Sequence, residues 1–437
     1  MRLARSVTGI GALVRRVCWA IVCLASIALT TACARDDGAR TTLRFWAMGR
    51  EGEVVAQLLP AFEREHPNIR VVVQQLPWTS AHEKLLTAFA GDATPDVCQL
   101  GNSWIPEFVA LGALAPLDGH LASSSAVKRS DYFAGVWAAN IVGEHTWGVP
   151  WYVDTRVFFY RRDLLAAAGI AAPPATWDEL LAAFRAIKSA VGDDRYAILL
   201  PVNEFEPLVA LALQQDEPLL RDGNRHGNFR SPAFRRTLSY YVDMFKERLA
   251  PPLSNAEVSN VWTEFGRGYY AFYLSGPWNI AEFRRRLPPE QLANLSTMAL
   301  PGPDGPGASI AGGSSLVVFK RSANREAAWQ LVEYLSQPDV QQRFRALTAD
   351  LPPRRSAWDD PALRDDPLTA AFREQLERAR PTPPVPEWER IATEMRVVSE
   401  MVVRGEMTID EGLAALDART DRILEKRRWM LDRGARS

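Results

Sequence analysis

The stretch Gly148-Val-Pro-Trp-Tyr-Val-Asp-Thr-Arg-Val-Phe-Phe-Tyr-Arg-Arg-Asp-Leu-Leu165 carries the reading on which the fold turns. A Pro and two large aromatics, Trp151 and Tyr152, precede Asp154 and Arg156. A run of β-formers from Val157 to Tyr160 then leads into a helix start. In a strand, residues two apart point to the same side, so Asp154 and Arg156 form a charged pair beside an aromatic wall. Such a surface suits a polar, ring-shaped ligand better than a catalytic nucleophile.

Upstream, the chain repeats a strand–helix–strand pattern. Leu43 to Ala47 reads as a short strand, and Val54, Val55, Leu58, Leu59 and Phe62 fall on one helical face. Ile69 to Val73 is a second strand, Ser80 with Glu83 reads as a capping box that starts a helix, and Val97 lies in a third strand. This alternation implies a mostly parallel sheet covered on both faces, with ligands in a crevice beyond the carboxyl ends of strands. Downstream, Thr176 with Glu179 and Thr408 with Glu411 give further capping boxes, and a helix is expected over about Arg325 to Leu335. Pro301-Gly-Pro-Asp-Gly-Pro-Gly307 is the densest turn cluster and a natural crossing between lobes.

The N-terminus reads as an export signal. Arg2, Arg5, Arg15 and Arg16 precede an apolar run from Val17 to Thr31 that is shorter than the about 20 residues a bilayer span needs. Small residues before Cys33 make 1–32 a signal peptide with a lipoprotein-type cleavage site, Cys33 the lipid-bearing residue and 33–42 a tether. Ala32-Cys-Ala34 also fits ordinary signal peptidase, which would release the protein. Cys98 is then the sole remaining internal cysteine, so no intramolecular disulfide is expected; it reads as a packing thiol. Cleavage leaves 405 of 437 residues, beyond the about 250–300 at which a single core stops growing, so two lobes are expected. A net charge of -1 with 24% charged residues argues against nucleic acid or an acidic polymer as a partner.

Aromatic residues are the chief chemical signal. Of 14 tryptophans, Trp46, Trp104, Trp151, Trp262, Trp278 and Trp388 sit beside Pro, Gly or polar residues. An indole at a turn offers an apolar face and an N–H, as a pyranose with its apolar face and hydroxyl rim requires. Glu51 at a strand-to-helix turn and Asn102 with Trp104 after the third strand occupy crevice positions. Enzyme signatures are missing: the five histidines show no metal-ligand spacing, and no HExxH, GxSxG or phosphate loop is present. No catalytic residue, metal site or cofactor is assigned.

Several segments together resemble the family 1 extracellular solute-binding proteins that feed ABC sugar importers. They are Phe45-Trp-Ala-Met48, Thr94-Pro-Asp-Val97, Gly101-Asn-Ser-Trp-Ile-Pro-Glu-Phe108 and the Gly148–Leu165 stretch, followed by Pro174-Ala-Thr-Trp-Asp-Glu-Leu180 and Gly266-Arg-Gly-Tyr-Tyr-Ala-Phe-Tyr-Leu-Ser-Gly-Pro-Trp278. Leu300-Pro-Gly-Pro303, Gly312-Gly313 and Leu351-Pro-Pro-Arg354 complete the set. The resemblance implies an α/β, two-lobe periplasmic-binding-protein fold of type II-like architecture, with the ligand cleft between lobes. Lobe 1 would comprise 43–150 and 303–346, and lobe 2 would comprise 151–302 and 347–437.

By that similarity Trp278 would stack on the sugar, with Trp262 or Trp388 as a second wall. Trp104, Trp151 and Tyr152 would add aromatic surface, while Asp154, Arg156, Glu51 and Asn102 grip hydroxyls. Gly312 and Gly313 would offer backbone, and Arg354 would close the site. The Asp that the family commonly carries near Asn102 or Ser103 is absent. The Asp154/Arg156 segment looks most like binders of α-linked glucose disaccharides such as maltose and trehalose. The expected protein is a monomer outside the cytoplasm, in the periplasm or on the cell surface, that hands sugar to ABC permease membrane subunits. The alternatives are a same-fold binder of a glycerophosphodiester or polyamine, whose site should be richer in carboxylates for a polyamine, and a secreted carbohydrate-active enzyme.

Overall fold

Leu43, Phe45 and Ala47 pack into one apolar cluster and Trp46 and Met48 into another, so the first strand is buried on both faces. That is the signature of a central strand in a covered sheet. The computed structural model describes residues 40–258 and 260–434. The expected signal peptide, Cys33 and most of the tether lie outside them.

Two sheets organise the chain. The first contains β1 (Thr41–Met48), β2 (Ile69–Leu76), β3 (Val97–Gly101) and β4 (Val149–Asp154). The second contains β5 (Val157–Arg161), β6 (Tyr196–Leu199), β7 (Tyr270–Ser275) and β8 (Leu295–Met298); the chain then returns to the first through β9 (Gly312–Val318). The orders are β2-β1-β3-β9-β4 and β8-β5-β7-β6. The expected mostly parallel sheet is corrected: β1 runs parallel to β2 and β3, but β9 runs antiparallel to β3 and β4, and in the second sheet only β7 and β6 are parallel while β5 is antiparallel to β7 and β8. Each sheet is clad on both faces by apolar clusters.

The helices used below are α1 (Gly49–Val54), α2 (Trp78–Ala90), α3 (Trp177–Val191), α4 (Glu206–Ala212), α5 (Trp278–Arg286), α6 (Arg325–Leu335), α7 (Pro338–Thr348), α8 (Trp388–Val403) and α9 (Ile409–Ile423). α3 and α9 begin where the sequence places them: the Thr176 hydroxyl accepts from the Glu179 amide, and Thr408 with Glu411 closes a full capping box. α6 spans the expected Arg325–Leu335. α2 departs from expectation. It starts at Trp78 behind Pro77, two residues before Ser80, which caps nothing.

The crossing between sheets also differs from the expected 150/151 boundary. β4 stays in the first sheet through Asp154, paired with β9, and the chain crosses at Thr155 and Arg156. The hydrogen-bond register overrides the Pro150 break because that proline sits at a bulge, where the β4–β9 register shifts between Ser314 and Ser315. The other crossings are near Ala311, after Ser309–Ile310 pairs with Ala379–Arg380, and after α7. The Pro301–Gly307 turn therefore flanks a crossing rather than making it. Leu363, Phe372, Trp388 and Met395 pack in the clusters of the second sheet, so the C-terminal region belongs there. Cys98 is fully buried as a free thiol, as its packing role requires. Among the described residues no helix is long and apolar enough to cross a membrane.

Candidate functional site

A cavity of about 660 Å³ lies between the sheets, and all three crossings reach it. From the first sheet come Glu51 in α1, Trp78 at the start of α2, and Asn102 and Trp104 just after β3. From the second come Glu206 at the start of α4, Trp278 at the start of α5, and Trp388 and Glu389 at the start of α8. Tyr152, Asp154, Arg156, Gly312 and Gly313 form the floor along the crossing strands, and Asp350 follows α7. The β1 and β3 contributions emerge at strand carboxyl ends, where parallel sheets present ligands.

Indoles build the walls. Trp78 and Trp104 meet edge to face at 5.7 Å, and Trp278 remains 38% exposed. The Arg156 guanidinium lies 4.7 Å from the centre of the Trp278 ring, backing the indole by a cation–π contact. Trp388 is buried, and its indole N–H has no hydrogen-bond partner. These flat faces match sugar rings, and an unpaired indole donor matches a hydroxyl.

The floor is charged and tightly packed. Arg156 is only 7% exposed; its guanidinium stands 3.2 Å from Glu206 and 3.9 Å from Asp154. Burial pushes Asp154 up to about 6 despite the opposing pull of Arg156. Burial also raises Glu51, although Tyr152 and Trp78 side chains hydrogen-bond to it. Asp350 is held well above the usual carboxylate range, first by burial and then by Glu51. Glu389 is raised by burial against the opposing pull of a Ser103 hydrogen bond and His82, so a carboxyl on α8 is linked to the first-sheet side. Gly313 has φ +103, and a Cβ at Gly312 would lie 2.5 Å from the Asp154 carbonyl. The crossing therefore needs both glycines to bring β9 onto β4.

Ten of the thirteen expected ligand residues line this cavity: Glu51, Asn102, Trp104, Tyr152, Asp154, Arg156, Trp278, Gly312, Gly313 and Trp388. Asn102 is mostly committed inward, donating to the Gly312 carbonyl at 3.1 Å and accepting from Ser315 at 2.8 Å. Three expectations are corrected. Trp151 alternates away from Tyr152 along β4 and stacks on Phe344 at 4.2 Å in the core. Trp262 stands behind the wall, donating to Asn279 at 2.7 Å while Arg286 covers its ring. Arg354 is buried against Asp131 at 2.7 Å and donates to the Ala126 and Ser336 carbonyls, so it has no reach left for a ligand.

Sequence reading missed Trp78, Glu206, Asp350 and Glu389. Trp78 carried a usable signal: it follows β2 as Trp104 follows β3. The three carboxylates had none: acidic residues such as Glu206 and Glu389 are commonplace at helix starts, and Asp350 sits unmarked just past the end of α7.

The chain matches the family described as bacterial extracellular solute-binding protein over residues 48–342. It is similar to the sugar-binding protein MalE from the phytopathogen Xanthomonas citri, with 57% identity, a TM-score of 0.88 and coverage of 90% of this chain and 99% of that one. It is 28% identical to a Streptomyces antibioticus lipoprotein over 80% of this chain and 81% of that protein. It is 25% identical to the diacetylchitobiose-binding protein of Streptomyces coelicolor over 81% and 82% of the two chains. The two-lobe architecture expected from sequence is the one these structures share.

Proposed function

The chain belongs to the bacterial extracellular solute-binding protein family, and on that premise we propose that it captures an α-linked disaccharide of the maltose or trehalose kind for an ABC importer. One observation carries the reading: an indole-walled, hydrogen-bonding cleft of about 660 Å³ between two lobes, within the about 300–1,000 Å³ range of small-ligand sites. Trp278 supplies the platform for one ring, backed by Arg156. Asp154, Glu51 and Asp350 accept from hydroxyls, and the unpaired Trp388 N–H and Arg156 Nε donate to them.

Because the ligand touches both lobes, it binds the closed arrangement more tightly and shifts the population toward it by that difference. The closed surface is what permease subunits would recognise. Export outside the cytoplasm follows from the family, and lipidation at Cys33 would hold the protein near its permease; one acyl chain alone binds a membrane only marginally. The relatives described by ligand are binding proteins, and the reading assigns no catalytic step.

A second reading has one observation in its favour. The cleft holds more carboxylates than the sequence marked, Glu206, Asp350 and Glu389 among them, and that favours a cation such as a polyamine. Titrating the protein's tryptophan fluorescence with trehalose, maltose, sucrose, glycerophosphocholine and spermidine separates the readings. Saturation with an α-linked disaccharide recovered intact supports the proposal. Saturation with spermidine alone, or a cleaved sugar, overturns it.

A further inference from the structure

The cleft's charges do not balance. Glu51, Asp154, Glu206, Asp350 and Glu389 line it, against Arg50 and Arg156. Arg156 is already held by Asp154 and Glu206, and Arg50 reaches out to Glu53 at 3.1 Å. Glu51 and Asp350 both line this cleft; burial raises each, and Glu51 adds to the rise of Asp350. One Asp350 oxygen and one Asp154 oxygen are buried without a hydrogen-bond partner.

The occupant that would complete this corner can be narrowed by chemistry. Among the described residues no cluster of three or more His, Cys, Asp or Glu could hold a metal ion, so a bare divalent cation is a poor fit. A hydroxyl brings one donor and no charge, whereas an ammonium brings three donors, no acceptor and the missing positive charge. Hydrogen bonds between ionised partners are roughly twice as strong as neutral ones. A linear polyamine would supply charge but no ring for the Trp278 face and no acceptor for the buried, unpaired Arg156 Nε.

Resting on the proposed sugar-binding function, we infer that the preferred ligand is an amino-substituted disaccharide, with its protonated amine between Glu51 and Asp350 and a ring on Trp278. The groups facing the corner are Tyr152, Trp78 and Glu53 on the Glu51 side, and Asp154 and Thr348 on the Asp350 side. Glu53 and Asp154 add acidic character, and the cations lining the cleft, Arg50 and Arg156, are paired with Glu53 and with Asp154 and Glu206. Burial keeps the proton affinity of Glu51 and Asp350 high.

Calorimetric titration of the full protein with maltose, trehalose and their 6-amino-6-deoxy counterparts tests this, repeated at low and high salt. The amino sugar should bind at least tenfold more tightly than its parent at low salt, and the ratio should shrink as salt is raised. Asp350→Asn should shrink that ratio at least fivefold, with Glu51→Gln as a second variant and a melting curve to certify folding of each. Equal or weaker binding of the amino sugar overturns the inference while leaving sugar capture intact. So does a ratio that neither variant changes. Failure of every sugar overturns both.

Discussion

Two cavities of nearly equal size flank the crossings between the lobes. One is the indole-walled cleft of about 660 Å³, and the other, about 690 Å³, is lined by the Pro303–Ala308 turn, Arg236, Arg378 and Arg380. Their chemistry differs. In the second cavity none of the lining residues has a buried side-chain polar atom without a partner: Arg380 donates to the Leu213 and Gln215 carbonyls, Arg378 to the Gly307 carbonyl and Glu374, and Gln214 to the Ala308 carbonyl. In the cleft, an Asp154 oxygen, an Asp350 oxygen, the Arg156 Nε and the Trp388 N–H have no partner in the protein. A buried polar atom without a partner costs about 1–3 kcal/mol. Such atoms also occur elsewhere among the described residues, Trp151 Nε1 and both Gln341 side-chain atoms among them, but of the two cavities only the cleft holds any, and it holds them beside exposed indoles. Volume does not separate these two cavities; unmatched polar groups together with exposed indoles do.

The contrast can be broken or sharpened by substitution. Arg354→Ala, at neither cavity, should have the largest effect, and on stability alone. It removes one partner of a buried ion pair, which costs about 3–5 kcal/mol, so thermal melting should fall steeply while the folded fraction still binds sugar. Trp278→Ala should leave melting nearly unchanged but weaken sugar binding by about 2 kcal/mol, or about thirtyfold in Kd.

A smaller effect should appear with pH. Asp154 rises from an ordinary 3.8 to about 6 because it is buried. Its stabilising contribution is therefore present below 3.8 and is lost as pH rises through about 6. Its acceptor role runs the other way: affinity should fall as pH drops through about 6, by about 1 kcal/mol for a lost charged hydrogen bond. Asp154→Asn should flatten that profile in titrations from pH 5 to 8. The smallest effect belongs to the second cavity. Asp304→Ala, an exposed residue 3.9 Å from Arg236, should change stability by at most about 0.5 kcal/mol and leave sugar affinity alone.

Much of the fold was legible because it rests on local rules. The Thr176 and Thr408 caps, the span Arg325–Leu335 and the doubly buried β1 all follow from spacing and side-chain type. The site was legible where residues sit in distinctive turns, as Trp278 does after Ser275-Gly-Pro and Trp104 does after Gly101-Asn-Ser. It was not legible where tertiary contact decides. Trp151 and Tyr152 are equivalent in sequence, yet β4 pairing with β9 sends one to the core and the other to the cleft. Arg354 carries nothing in its neighbourhood to announce Asp131, 223 residues away. Glu206, Asp350 and Glu389 come from three separate helix ends that only tertiary packing around the cleft brings together.

The central claim is that the unmatched groups of the cleft, and not those of the cavity behind it, receive a sugar. A crystal structure of the protein soaked with maltose or trehalose tests it directly. The account predicts a sugar ring stacked on Trp278 with hydroxyls on Asp154 and the Trp388 N–H. Sugar density in the second cavity, or an empty cleft at saturating sugar, would contradict it.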